Sequence, residues 1–381
     1  MSKYYRHIHS KFIHSLIFCP KNTKVENIDT NHNNMSDISA RKPVGIIGAG
    51  SFGTAIAGLI ALNYPVIIST RREEVMSNIN AKRLHIGQQM PDFVQATTSM
   101  KEVAEQCTLI FPIVSSENFR EMMREFSPHL RPHHILIHGT KGFDTTTPSN
   151  TANFNIKRKG IHTMSEVILQ ESSVVRVGCL SGPNLAAEIM EGQPAATVIA
   201  SKYNEVIKSG RLALQSPRFQ AYASHDILGA ELAGALKNII ALGSGILGGI
   251  GMGKNVWALY LTRGLIEMIH VGKAMGADTS AFLGLAGIGD LVATAASTQS
   301  RNYTFGKRLA QGESATAIIK DMNEVAEGVR TLKIIREAVK NYDTQTPIIE
   351  MLYQIVFEER DINDAISYLM NYKYSIDVDF L

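Results

Sequence analysis

The run VGIIGAGSFGTAIAGLIALNYPVIIST, starting at Val44, restricts the possible folds more than any other stretch of the chain. Four apolar residues lead into Gly48, Gly50 and Gly53 in the spacing G-x-G-x-x-G. An Ala/Ile/Leu-rich segment follows, and a second apolar run lies over Val66–Ser69. Strand, glycine turn, helix and strand in that order form the setting in which such glycines hold a dinucleotide pyrophosphate. Gly48 permits the tight turn, Gly50 lets the backbone approach the phosphates, and Gly53 lets the helix sit close on its strand. The helix N-terminus adds unpaired N–H groups and the positive end of a dipole.

Where an acid about 20 residues after the first glycine would hold the ribose 2′-OH of NAD, the chain reads Thr70, Arg71, Arg72. Two guanidiniums there suit a 2′-phosphate, so NADP is the preferred cofactor and NAD remains possible. Glu73 and Glu74 follow directly and leave open a solvated charge cluster at a helix start.

Further strands are expected at TLIFPIV (108–114), HILIHGT (134–140), 174–180, AATVIAS and RFQAYAS, closing the first domain near residue 224. Ligands of open α/β sheets gather outside the carboxyl ends of the strands, which places Lys141 within reach of a ligand or simply on the surface. Gly142 to Val174 reads as a polar surface insertion. SGPNLAAE then sets Gly182 and Pro183 ahead of a helix start.

From Asp226 the pattern turns helical and no period-2 run returns. In ELAGALKNIIALGSGI (231–246) one lysine sits in a run of small and apolar residues. Its own stripe is Gly229, Ala233, Ala241 and Gly245, and the other faces are leucine and isoleucine, so the helix is buried. Lys237 must there be paired, snorkelling or functional. In GLAGIGDLVATAASTQSRNYTFG (284–306), Asp290 is a second isolated charge among glycines and alanines. Ser300, Arg301 and Asn302 offer a hydroxyl, a planar fork and an amide in succession, a kit for a phosphate unless Arg301 is merely an exposed helix-end residue.

The architecture expected is α/β: an N-terminal Rossmann dinucleotide-binding domain with a mainly parallel sheet over 43–224, then an all-α substrate and dimerisation domain over 225–381. Residues 1–42 read as a poorly ordered extension. They carry seven Lys and Arg against three acids, so the remainder, 31 against 32, is nearly neutral and gives no electrostatic case for nucleic acid. Cys19, Cys107 and Cys179 are odd in number and in no metal-ligand spacing, which favours a reducing setting and no metal. The glycine-rich stretch 238–253 is short of a membrane span, and no integral membrane segment is expected.

GAGSFGTA, TKGF, SGPNLAAE, ELAGALKNIIALGSGI, GLAGIGDLVATAASTQSRNYTFG and EVAEGVRT occur in the order and rough spacing of the NAD(P)-dependent glycerol-3-phosphate dehydrogenase family (bacterial-type, soluble). The chain resembles that family from about residue 44 to its C-terminal region. The resemblance implies reversible reduction of dihydroxyacetone phosphate to sn-glycerol 3-phosphate, glycerophospholipid supply, a cytoplasmic location and a homodimer. It implies Lys237 as the acid/base lysine, with Lys141 and Asp290 also catalytic. Gly182, Ser300, Arg301 and Asn302 then join these three as substrate contacts. Gly48, Gly50, Ser51, Phe52, Gly53, Arg71, Arg72, Lys141, Ala186, Arg301, Val325 and Glu327 fall where the family touches the dinucleotide. A hydroxyacid dehydrogenase or ketopantoate reductase shares the glycine loop and a lysine, but lacks use for the SRN kit. A non-catalytic NADP(H) sensor would have no need of Lys237 and Asp290.

Overall fold

Short runs of β-branched and apolar residues alternate with helix formers over the first half of the chain, and they fold into one eight-stranded sheet. The structure is a computed structural model and describes residues 35–145, 160–322, 326–372 and 377. The strands are β1 (Val44–Ile47), β2 (Val66–Ser69), β3 (Val94–Thr97), β4 (Leu109–Pro112), β5 (Ile135–His138), β6 (Arg176–Ser181), β7 (Ala195–Ser201) and β8 (Phe219–Ser224). Their spatial order is 3-2-1-4-5-6-7-8, and every pairing is parallel except β6 with β7. The first six strands have the order of a dinucleotide-binding sheet. The residues of β1, β2 and β5 are all buried, which is why their sequences run apolar without alternating.

The helix α1 (Ser51–Ile60) leaves the glycine turn and packs Ile56, Ala57 and Ile60 against the sheet. A Cβ on Gly48 would lie 2.2 Å from Ile113 O and one on Gly53 2.0 Å from Gly48 O, so both positions require glycine. A Cβ on Gly50 would meet nothing within 4 Å. The turn is thus closed on two sides and open on the third.

Three readings of the sequence change. The strand β3 was not foreseen: its four residues VQAT carry little apolar signal, and it exists through its pairing with β2, Val66 opposite Val94. The stretch 142–174 is not all surface insertion. Phe143, Ile161, Met164, Val167 and Ile168 are buried, the last three on the helix Met164–Glu171, while residues 146–159 lie outside the described part. Finally, residues 35–42 join the folded unit that starts at Met35: Ile38 is buried and Arg41 Nη1 donates to Asn63 O at 2.9 Å.

After Ser224 all described elements are helices. The helix α2 (Ile227–Gly249) is their axis, with residues 229–247 all buried. Around it lie α3 (Lys254–Ala274), α4 (Asp290–Ala296), α5 (Arg301–Ala310), α6 (Glu327–Val339) and α7 (Pro347–Phe357). Among the described residues α2 alone is long and apolar enough to cross a membrane, and here the protein itself buries it. Its small-residue stripe admits another backbone. A Cβ on Gly245 would lie 2.0 Å from Tyr303 O, and one on Gly306 of α5 1.9 Å from Leu242 O, so α2 and α5 cross with glycine on both sides.

Candidate active site

Because β1, β2, β4, β5 and β6 are parallel, the turns after their carboxyl ends share one edge of the sheet. That edge carries the glycine loop, Arg71 and Arg72, Ser116, Lys141 and Gly182. The turn from β5 brings Lys141 against α2, where Gly234 has no side chain: a Cβ there would lie 3.7 Å from Lys141 Cγ. One turn further along α2 stands Lys237, only 5% exposed.

Asp290 joins the two lysines. It is the first residue of α4, fully buried, and accepts from Lys237 Nζ on Oδ1 at 2.9 Å and from Lys141 Nζ on Oδ2 at 2.5 Å. Lys141 Nζ also donates to Gly182 O at 3.2 Å, a carbonyl presented by a residue at φ 148° that favours glycine. Lys237 Nζ further donates to the Thr294 hydroxyl, and Thr294 Oγ1 donates to Asp290 Oδ1 at 3.2 Å. Burial drives the Lys237 ammonium down to about 8, with Asp290 opposing the fall and Lys141 adding to it. Burial alone would raise the Asp290 carboxyl, but Lys141 and Lys237 overcome it and hold it below its ordinary value. The result is an ionised carboxylate, with an ammonium poised to release its proton near neutrality.

The phosphate kit lies at the start of α5. Ser300 caps that helix, its Oγ accepting from Tyr303 N at 3.3 Å. Arg301 is exposed, and Asn302 is buried. The Asn302 amide donates to Asn238 Oδ1 at 3.0 Å and accepts from Gly328 N at 2.9 Å, tying it to the residue after Lys237 and to α6. In the dinucleotide half, Ser51 opens α1 and the Phe52 ring lies against Gly139, where a Cβ would come within 2.9 Å of it. Arg71 and Arg72 are exposed past β2, and Ala186 opens the five-residue helix Ala186–Met190. Val325 lies outside the described residues. The glycine loop, open at Gly50 and backed by a helix N-terminus, fits a dinucleotide pyrophosphate.

Glu327 accepts from Ser116 N at 3.0 Å and from Ser116 Oγ at 2.6 Å. Burial raises its carboxyl, against the pull of Ser116, Arg330 and Arg301. Sequence reasoning missed a matching clamp. Glu231 of α2 accepts from Ser165 N at 2.8 Å and Ser165 Oγ at 2.5 Å, with His138 Nε2 2.9 Å from Glu231 Oε1. Each clamp ties the helical half to the sheet half beside Lys141. Their partners stand 66 and 211 residues apart, and no local pattern announces such a pair. Thr294 and Asn238 were also missed, although Thr294 lies one helical turn after Asp290 and Asn238 directly follows Lys237.

Two family models match: "NAD-dependent glycerol-3-phosphate dehydrogenase N-terminus" over residues 43–207, and the C-terminus of the same enzyme over 226–367. A glycerol-3-phosphate dehydrogenase [NAD(P)+] of Saccharophagus degradans is 36% identical over 353 residues, 91% of this chain and 94% of that one. Among solved structures, the glycerol-3-phosphate dehydrogenase of Coxiella burnetii superposes with a TM-score of 0.78 at 28% identity, covering 87% of this chain and 99% of that one. The yeast Saccharomyces cerevisiae enzyme superposes with a TM-score of 0.73 at 25% identity, covering 85% and 98%.

Proposed function

The chain belongs to the NAD-dependent glycerol-3-phosphate dehydrogenase family, and from that premise we propose that its buried Lys237–Asp290–Lys141 cluster interconverts dihydroxyacetone phosphate and sn-glycerol 3-phosphate. It is an NAD(P)-dependent oxidoreductase. The observation that carries the reading is Lys237: a buried ammonium brought to about 8, beside a carboxylate that two lysines keep ionised.

A dinucleotide held by the glycine loop would supply or accept the hydride from its nicotinamide. As negative charge grows on the C2 oxygen during reduction, Lys237 gives it a proton; in the oxidative direction the neutral amine takes that proton back. Asp290 keeps the ammonium from losing its proton too early and orients it, with Thr294 as a second anchor. Lys141 shares Asp290 and adds positive charge where the oxygen becomes negative. Gly182, Ser300, Arg301 and Asn302 bind the substrate, Arg301 and Asn302 at its phosphate, so that remote binding energy orients C2. Gly48, Gly50, Ser51, Phe52, Gly53, Ala186, Val325 and Glu327 contact the dinucleotide, together with Lys141 and Arg301.

Arg71 and Arg72 carry the preference for NADP: both are exposed at the carboxyl end of β2 and no acid precedes them there. The product supplies glycerophospholipid synthesis in the cytoplasm, a setting in keeping with the free buried thiols Cys107 and Cys179. The working form is a homodimer. The 43–224 half supplies most of the dinucleotide contacts and the 225–381 half most of those to the phosphorylated substrate.

The test follows reduced-nicotinamide absorbance after adding dihydroxyacetone phosphate to the enzyme with NADPH and, in parallel, with NADH. Faster turnover with NADPH supports both the reaction and the arginine reading. Turnover with NADH alone removes the 2′-phosphate assignment, and none with either removes the reaction.

A further inference from the structure

Beside the glycine loop stands a hairpin to which neither the fold nor the chemistry has given a use. Leu84–His85 and Gln88–Gln89 pair as a two-stranded ribbon, His85 opposite Gln88. Ile86 and Gly87 form the tight turn between them with φ of 49° and 70°, both left-handed. Glycine suits such a position, whereas a β-branched side chain is strained there. Ile86 is 45% exposed, so little packing offsets that strain. The flanks hold the turn in place instead. Met90, itself buried, donates from its backbone to Arg83 O at 2.7 Å, and Arg83 Nη1 donates to Val94 O at 2.7 Å.

What this strained turn delivers is His85. Its ring is buried, and Nε2 lies 2.8 Å from the carbonyl oxygen of Ala49. A carbonyl only accepts, so Nε2 carries the proton and donates. Ala49 is the residue between Gly48 and Gly50, and the glycines on either side leave its peptide groups unusually free to rotate. In a planar trans peptide the carbonyl of one residue and the N–H of the next point in opposite directions. Drawing the Ala49 oxygen to His85 therefore turns the Gly50 N–H away from the hairpin. That N–H donates to none of the described backbone hydrogen bonds, and the space around Gly50 is open.

We propose that His85 is a positioning residue for the phosphate-binding loop: by holding the Ala49 carbonyl it presets the Gly50 amide for the dinucleotide pyrophosphate. The assignment rests on the reading of Gly48–Gly53 as the dinucleotide loop. Its ring nitrogen is engaged by the Ala49 carbonyl, so His85 acts through that peptide plane.

The test titrates NADPH, by its nicotinamide fluorescence, into the full-length wild type, His85→Leu and His85→Gln. His85→Leu weakens NADPH binding about fivefold or more, the size of one lost hydrogen bond. The KM for NADPH rises in step while that for dihydroxyacetone phosphate does not. His85→Gln, whose amide can still donate, recovers most of the binding. Equal binding by all three proteins overturns the proposal, and so does an equal loss in both variants, which would assign the effect to ring packing. If His85→Leu does not fold, His85→Asn replaces it, polar but too short to reach Ala49, and the same outcomes apply. Failure of the wild type to bind NADPH or NADH overturns the loop reading and the proposal with it. Tight wild-type binding that His85→Leu leaves unchanged overturns the proposal alone.

Discussion

Two carboxylates of the helical half, Asp290 and Glu267, are 2% and 3% exposed, yet burial leaves them in opposite states. Asp290 faces two ammonium groups and stays ionised below its ordinary value. Glu267 faces none among its hydrogen-bond donors: it accepts from Ile348 N at 2.6 Å and Ile349 N at 3.1 Å, the first amides of α7. Burial pushes it up to about 8 in spite of those two bonds. Backbone dipoles at a helix end thus satisfy a buried carboxyl without keeping it charged, whereas full opposite charges do both. Glu327 falls between them. It has a serine hydroxyl, an amide and two arginines in range, and its carboxyl is still raised.

The strongest way to break this comparison is Asp290→Asn. It removes the charge that supports both lysines, and kcat/KM for reduction should fall by about a thousandfold. In the wild type the reduction rate should decline as pH rises through about 8, where Lys237 loses its proton, and the oxidation rate should climb over the same range. Asp290 holds that value up, so in the residual activity of Asp290→Asn the decline should begin at lower pH. A profile that stays in place would show that Asp290 is not what sustains the ammonium.

Next in size is Glu267→Gln. A carboxyl raised from 4.5 unfolded to about 8 folded binds more protons in the native state across that window, so its contribution to stability falls as pH rises from about 5 to 8. Melting curves of Glu267→Gln should lose part of the wild-type decline over that window. Curves parallel to the wild type would mean that Glu267 titrates normally. The smallest effect is expected from Ser116→Ala, which takes the hydroxyl donor from Glu327 and leaves the backbone amide. A loss of about 1 kcal/mol in urea unfolding is expected. No loss would show that the amide and Arg330 suffice.

The glycine loop, most of the apolar strands of the sheet and the buried Lys237 are legible in the sequence because each writes itself locally, in a spacing or a run of one residue class. Lys237 and Asp290 could be paired on the page because each is a solitary charge in an apolar stretch, and solitary buried charges seek each other. The strand Val94–Thr97 could not be read, since its four residues become a strand only when β2 offers its edge. Glu231 with Ser165 and Glu327 with Ser116 are common polar residues joined across long separations, and nothing in their neighbours sets them apart. His85 stayed invisible for a different reason: the left-handed backbone at Ile86 that aims it is unusual for isoleucine, and turn preferences argue against it.

The apolar length of α2 has a consequence for synthesis. The 23 residues Ile227–Gly249 are shielded in the finished protein by segments that come later in the chain, among them Arg301–Ala310 and Glu327–Val339. A chain that stops before these have left the ribosome carries a bare helix whose composition matches a membrane anchor. Nonsense changes between residues 250 and 300 should therefore yield sticky, chaperone-bound fragments and no stable sheet domain on its own, even though every strand of that sheet has already been made.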